Sequence, residues 1–104
     1  MGKTAKDKRD IYYQKAKEEG YRARSAYKLL QVDSVFDIFA NVDRVVDLCA
    51  APGSWSQVIS KRLSEKGLDI LANPHLVSVD LFEIAPIEGA TLIQGDITRQ
   101  KTVL

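Results

Sequence analysis

The stretch DLCAAPGSWSQ, residues 47–57, decides the fold because two different hydrophobic patterns meet in it. It begins inside a short apolar run, residues 45–49, of the kind that forms a buried parallel strand. The turn-forming letters AAPG end that run. After the turn, apolar residues recur at helical spacing as far as Lys66, and they are Trp55, Val58, Ile59 and Leu63. The stretch therefore predicts a strand, a tight turn and a helix that Gly67 ends.

Two more strands are predicted toward the C-terminus. Residues 76–79 form the second strand, which ends at Asp80, and residues 91–94 form the third, which ends at Gly95 and Asp96. Thr98 is a candidate cap for a further helix. A strand, a crossover helix and a second strand make a parallel βαβ unit. The predicted fold class is therefore α/β, with a parallel sheet.

The N-terminal residues 1–40 form a basic arm that differs in composition from residues 41–104. Two helices are predicted in it, at about residues 7–19 before Gly20, and from Ser25 as N-cap through residue 32. Residues 1–30 carry a net charge of +5 and residues 31–104 a net charge of −4, although the whole chain carries +1. Such an arm suits a polyanionic partner such as nucleic acid, and a solvated helix face explains the same charges.

Several classes of protein are excluded by the composition. The chain has 104 residues, of which 45% are hydrophobic and 28% charged, as in one soluble globular domain. Its single cysteine, Cys49, forms no internal disulfide and is expected to be a small buried residue. No spacing of His and Cys indicates a metal site, and no apolar run indicates a membrane span or a signal peptide. A reducing, cytoplasmic location is expected.

The three predicted strand ends suggest a site for an adenosine-bearing cofactor, because ligands of such sheets bind beyond the carboxyl ends of the strands. Gly53 allows close approach of the backbone, and the helix that starts at Ser54 offers free N–H groups. Asp80 is placed to accept ribose hydroxyls, and Asp96 to accept an exocyclic amine. Each of these residues also has a purely structural explanation, as a turn residue or a cap. Their combination favours the binding site.

The turn after the first strand limits the choice of cofactor. It has one glycine, so it matches neither the GxGxxG pattern of dinucleotide binding nor the GxxxxGK[ST] phosphate loop. A cofactor with a carboxylate and a sulfonium in place of a pyrophosphate needs less of a glycine cradle. S-adenosylmethionine fits this description, and a nucleotide-dependent dehydrogenase is the weaker alternative.

Three segments closely resemble the FtsJ-like RNA ribose 2′-O-methyltransferases. They are DKRDIYYQKAKEEGYRARSAYKLLQ (7–31), DLCAAPGSWSQV (47–58) and QGDIT (94–98). The arm YRARSAYKLLQ and the serine of APGSW look most like the eukaryotic branch that modifies the tRNA anticodon loop. Other branches, which act on ribosomal RNA, more typically have APGGW. The resemblance implies a Rossmann-like, S-adenosylmethionine-dependent methyltransferase fold, with tRNA as substrate and ribosomal RNA as the alternative.

The resemblance also implies roles for individual residues. Gly53 and Trp55 correspond to cofactor contacts, Asp80 to the acid that binds the ribose, and Asp96 to the acid on the adenine side. Lys28 corresponds to the first lysine of the family's catalytic Lys-Asp-Lys-Glu tetrad.

The other three members of the tetrad lie in a C-terminal half that this sequence does not contain. We therefore expect the N-terminal half of an enzyme, with the basic arm on the RNA side, three parallel strands, and no methyl transfer by the chain alone. The alternative is a truncated product that binds RNA or a partner without catalysis. Enzymes of the tRNA branch commonly work with a helper protein, so such a partner is expected. The location is cytoplasmic, or nucleolar if ribosomal RNA is the substrate.

Overall fold

A computed structural model describes the backbone of residues 5–99 and the side chains of residues 10–99. Three helices and three strands follow one another in the order α1, α2, β1, α3, β2, β3. Their bounds are α1 Ala5–Glu19, α2 Ala26–Phe36, β1 Val45–Leu48, α3 Ser54–Glu65, β2 Leu76–Asp80 and β3 Ala90–Gln94. The α/β fold with two N-terminal helices and three strands is confirmed, and the helix predicted after Thr98 lies outside the described residues.

The three strands form one parallel sheet in the order β1-β2-β3. The register pairs Asp47 of β1 with Ser78 of β2, and Ser78 with Leu92 of β3. Helix α3 joins β1 to β2, and a loop joins β2 to β3. All three carboxyl ends therefore lie at the same edge of the sheet, as the sequence predicts for a site there.

Helix α3 covers one face of the sheet and supplies much of the core. Val58 and Leu63 of α3 and Leu76 of β2 are almost fully buried. Burial of such a side chain contributes about 1.5–3 kcal/mol relative to leaving it exposed. The buried members of this core are Ala26, Leu29, Phe39, Val58, Ile59, Leu63 and Leu76.

Helix α2 packs against α3, and an aromatic cluster attaches α1 to α2. Tyr27 is buried, its ring lies 5.6 Å from that of Tyr12 and 5.7 Å from that of Tyr21, and its hydroxyl donates to Glu19 at 2.7 Å. Burial and the hydrogen bond to Glu19 raise the pKa of Tyr27 well above its ordinary value. Helical spacing, with Ala26, Leu29 and Leu30 on the apolar side, places Tyr27 toward the flank of α2, and α1 buries it by packing over that flank.

Two local expectations are corrected by the packing. Trp55 does not share the buried stripe of Val58, Ile59 and Leu63, since 39% of it is exposed at the start of α3. Cys49 is exposed, although a buried position was expected. Strand β1 ends one residue before Cys49, whose φ of 60° already belongs to the turn.

The opposite face of the sheet is largely open among the described residues, with Val79 buried at its centre. Its apolar side chains include Val46, 60% exposed, Leu48, 56% exposed, and Ile93, 39% exposed. Of the helices in the described part of the chain, none has the length and apolar character to cross a membrane.

Candidate functional site

The turn between β1 and α3, residues 49–53, is crowded at its last position. Gly53 has a φ of +114°, and a Cβ atom added there would lie 2.7 Å from Ile87 Cδ1 and 2.8 Å from Arg22 Nη1. The backbone conformation therefore favours glycine, and a side chain at this position would in addition have to displace the ends of the Ile87 and Arg22 side chains. The bond between Ala51 and Pro52 is cis. The turn brings the backbone and the first N–H groups of α3 to the edge of the sheet, where an anionic group of a ligand can reach them.

Beside the β1–α3 turn lies a groove of about 260 Å³, here called the turn groove. Its lining comes from Ser25, residues 47–52, Ser54 and Trp55. The indole Nε1 of Trp55 donates a hydrogen bond to the backbone oxygen of Ser25 at 2.9 Å. The Ser25 and Ser54 hydroxyls are 2.8 Å apart. These contacts fix the indole at the mouth of the groove, with enough exposed surface to contact a ligand.

Asp80 stands at the end of β2 and is bonded directly to the turn. Its Oδ2 accepts the N–H of Ala51 at 2.9 Å, and its Oδ1 accepts the N–H of Phe82 at 2.9 Å. The bond from Phe82, followed by that from Ala51, lowers the pKa of Asp80 below its ordinary value. An ionised carboxylate has about four acceptor sites, so lone pairs remain for two ribose hydroxyls.

Asp96 stands at the end of β3, next to Asp80 in the order of the strand ends. Its Oδ1 accepts the hydroxyl of Thr98 at 2.6 Å and the N–H of Thr98 at 2.8 Å. The hydroxyl of Thr98 is the larger cause of the lowered pKa of Asp96, and the N–H of Thr98 adds to it. Asp96 Oδ2 lies 3.9 Å from Arg99 Nε. The carboxylate is therefore ionised and keeps acceptor capacity toward the strand ends.

A buried polar cluster supports the turn from below, and sequence reasoning missed it. The hydroxyl of Ser56 donates to Asp47 Oδ2 at 2.6 Å and lies 2.5 Å from that of Ser78. Burial is the main cause of a raised pKa at Asp47, and the bond from Ser56 opposes it. The sequence signal for it was a polar residue inside each apolar strand, Asp47 in VVDL and Ser78 in LVSVD. The cluster fastens β1, α3 and β2 together where the site begins.

Lys28 lies on α2 in a second groove, of about 420 Å³, here called the Lys28 groove. Tyr12, Arg24, Ser25, Tyr27 and Gln31 complete its lining. Lys28 is exposed, and within the described residues its ammonium has no hydrogen-bond or ion-pair partner. Ser25 lines both this groove and the turn groove. Lys28 thus lies on the helix that follows Ser25, the residue that both grooves share, while Asp80 and Asp96 follow the neighbouring strands.

No group of three or more His, Cys, Asp or Glu side chains among the described residues is arranged to hold a metal ion. The groups that converge on the site are carboxylates, backbone N–H groups, an indole and a lysine. They suit an organic ligand with hydroxyl and amine donors, next to a polyanion.

Several known proteins are similar to this chain. A human tRNA (cytidine(32)/guanosine(34)-2′-O)-methyltransferase is 57% identical over 98% of the chain, which covers 30% of that protein. The protein of the same name from Schizosaccharomyces pombe is 55% identical over 99% of the chain, which covers 37% of it. The ribosomal RNA large subunit methyltransferase E of Methanothrix thermoacetophila is 52% identical over 95% of the chain, which covers 35% of it. The chain thus spans about a third of the length of these relatives.

A solved structure and a family model agree with these relatives. A Plasmodium falciparum crystal structure, assigned as a ribosomal RNA methyltransferase, superposes with a TM-score of 0.64 at 32% identity. The match covers 78% of this chain and 41% of that one. Residues 21–104 match the model of the FtsJ-like methyltransferases. Because the matched segment contains the turn, α3 and all three strands, the chain belongs to the FtsJ-like methyltransferase family.

Proposed function

We propose that this chain binds S-adenosylmethionine and carries the RNA-facing arm of a ribose 2′-O-methyltransferase that acts on the anticodon loop of tRNA. The observation that carries the proposal is that Ser25 lines both the turn groove and the Lys28 groove. A methyl donor bound at the turn and a ribose bound beside Lys28 would therefore meet. Relatives named for 2′-O-methylation of tRNA, at 52–61% identity, support tRNA as the substrate.

The residues of the site fit S-adenosylmethionine. Gly53 would bring backbone against the cofactor, and the first N–H groups of α3 would hold its carboxylate. Asp80 would accept the two ribose hydroxyls with the lone pairs that Ala51 and Phe82 leave free. Asp96 would accept the adenine amine, and Trp55 would contact the cofactor at the mouth of the turn groove.

When bound, the cofactor supplies an electrophilic methyl group on a sulfonium. The 2′-hydroxyl of the RNA that would accept this methyl group has to be oriented toward the cofactor and has to give up its proton to a base. Lys28 would hold the hydroxyl in line with the methyl group, and orientation of this kind is a large part of such a barrier. The family resemblance implies that the base lies outside this sequence, so Lys28 would act as a supporting catalytic residue.

The first experiment tests the role of Lys28 in the native gene product. Lys28→Ala is expected to lower the rate of 2′-O-methylation of tRNA by about a hundredfold, as loss of a catalytic contact does. Binding of S-adenosylmethionine, measured by calorimetry, should change less than about twofold. Lys61→Ala, at an exposed lysine of α3, is the control and should leave both unchanged. An unaltered rate in Lys28→Ala would contradict the assignment.

A comparison of cofactors tests the site itself. We expect S-adenosylmethionine to bind and NAD to fail, because the turn lacks the glycines that a pyrophosphate needs. Tighter binding of NAD would favour the dehydrogenase alternative.

Ribosomal RNA is the second candidate substrate, because archaeal ribosomal RNA methyltransferases are 46–52% identical to the chain. Depletion of the protein separates the two candidates, since only the true substrate loses its methyl groups. We further propose a helper protein that selects the position, and a cytoplasmic location that becomes nucleolar if ribosomal RNA is the substrate. A chain that only binds RNA would show salt-dependent binding and no methyl transfer.

A further inference from the structure

Arg22, between α1 and α2, connects the arm to the β1–α3 turn and to the loop that follows β2. Its Nη1 donates to the backbone oxygen of Pro52 at 2.9 Å and to that of Ala85 at 2.7 Å. Its Nη2 donates to the backbone oxygen of Pro86 at 2.6 Å. Pro52 belongs to the β1–α3 turn, and the two other acceptors belong to the loop that follows Asp80. One guanidinium thus ties together segments that are 30 and more residues apart.

The segment between α1 and α2, residues 20–25 and here called the junction, has a second attachment through Gln57 of α3. The N–H of Arg22 donates to Gln57 Oε1 at 2.9 Å, and Gln57 Nε2 donates to the backbone oxygen of Gly20 at 3.1 Å. Gln57 therefore holds the backbone on both sides of Tyr21, while the guanidinium of Arg22 holds the turn. The arm is fixed against the turn by side chain and main chain together.

The chemistry of this junction is specific to a guanidinium. Three carbonyl oxygens converge on it, and no carboxylate pairs with Arg22 within the described residues. A planar fork can donate to several acceptors at fixed angles, whereas an ammonium is a single point charge on a flexible stem. Lysine would keep the charge at position 22 but would lose the simultaneous hold on the turn and the loop.

The position of Arg22 relates this junction to catalysis. Its Nη1 lies 2.8 Å from the position that a Cβ of Gly53 would take. Three residues further along the chain, Ser25 accepts the hydrogen bond of Trp55, and Lys28 follows on the first turn of α2. Between them, Arg22 and Ser25 determine where Lys28 stands relative to the β1–α3 turn.

We propose that Arg22 is a positioning residue, which fixes the helix of Lys28 against the turn that would bind the methyl donor. The proposal rests on the proposed function, in which Lys28 and the turn act on one reaction. Arg22 contacts three backbone carbonyls of the chain itself, and its effect on the reaction passes through the geometry of the junction. An error of about 1 Å in such a geometry lowers a rate by about a hundredfold.

The kinetic test uses Arg22→Lys in the native gene product, with Arg44→Lys as the control at an exposed arginine before β1. Arg22→Lys is expected to lower kcat for tRNA methylation by about tenfold or more, with KM for tRNA within about twofold. Arg44→Lys should change neither. A rise in KM for tRNA with kcat unchanged would overturn the proposal and make Arg22 a phosphate contact. An unchanged kcat, or an equal loss in Arg44→Lys, would overturn it as well.

A second test needs no activity and so separates this proposal from the proposed function. Trp55 is the single tryptophan of the 104-residue chain, and its indole is bonded to Ser25 of the junction. In Arg22→Lys its fluorescence should move to longer wavelength and be quenched more by acrylamide, while circular dichroism shows an unchanged helix content. Unchanged fluorescence would overturn the proposal even if methylation is found. If Arg22→Lys fails to fold, Gln57→Ala replaces it with the same expected direction of change.

Discussion

The two faces of the sheet differ sharply, although the same three strands form both. On the face under α3, Leu76 and Ser78 are completely buried, and the cluster of Asp47, Ser56 and Ser78 is fully hydrogen-bonded. On the opposite face, Val46 and Leu48 expose more than half of their surface. Parallel sheets normally have both faces covered. The covered face therefore supplies most of the stability that holds the site, and on the open face Val79 is the buried exception among the described strand residues.

The largest effect is expected from the centre of the covered face. Leu63→Ala removes a completely buried side chain of α3 and should lower the free energy of unfolding by about 2–5 kcal/mol. Urea denaturation of the chain measures this value. Val46→Ala, on the open face, is the matched control and should change it by less than about 0.5 kcal/mol. Equal losses in the two variants would show that the faces do not differ in this way.

A smaller loss is expected from the polar cluster on the covered face. Ser56→Ala leaves Asp47 and Ser78 without the hydroxyl they share, and an unsatisfied buried group costs about 1–3 kcal/mol. Ser64→Ala, at an exposed serine of the same helix, is the control. If Ser56→Ala has the same midpoint of urea denaturation as the unchanged chain, the cluster does not stabilise the fold.

Two acids should give opposite dependences of stability on pH. The pKa of Asp80 is lowered from 3.8, so its contribution is present above that value and lost as the pH falls through its folded pKa. The pKa of Asp47 is raised from 3.8, so the folded state holds its proton longer and loses stability as the pH rises through the raised pKa. Asp80→Asn should therefore reduce the stability that the protein loses as the pH falls. Asp47→Asn should reduce the stability that it loses as the pH rises. Denaturation midpoints between about pH 2 and pH 7 test both signs.

The smallest effect on stability, and a clear effect on association, is expected from the open face. Leu48→Lys replaces an apolar side chain that is 56% exposed, so stability should change by less than about 0.5 kcal/mol. A charge on this face should reduce self-association of the chain, because contiguous exposed apolar surface promotes it. Analytical ultracentrifugation over a range of concentrations measures the association. Lys61→Arg, the control, keeps the positive charge on α3 and should leave the self-association unchanged.

The sequence is sufficient to predict the strand ends and the turn, because these depend on local patterns. An apolar run before APG, and acids after residues 79 and 95, locate Gly53, Asp80 and Asp96 without any knowledge of packing. Sequence reasoning missed the anchoring role of Arg22. Its acceptors, the backbone oxygens of Pro52, Ala85 and Pro86, lie 30 to 64 residues away along the chain. Every residue has a backbone carbonyl, so residue types give no sign of which carbonyls accept these bonds. Only the packing of the loops shows it.

The packing around Tyr27 shows the same limit. Helical spacing predicts only which side of its own helix a side chain occupies. Tyr27 is buried because α1 packs over it, and spacing within α2 cannot predict that contact. The polar cluster is an intermediate case. Asp47 and Ser78 are visible as polar letters within apolar strands, but their meeting at Ser56 depends on the register of β1 against β2.

The crowding at Gly53 has a consequence for how this sequence can vary in evolution. A methyl group at position 53 would collide with Ile87 from one segment and with Arg22 from another, at a φ that side chains rarely adopt. The tips of Ile87 and Arg22 can move aside, but the backbone strain at position 53 remains. A variant at this position would therefore also shift the Arg22 guanidinium away from its three carbonyl acceptors.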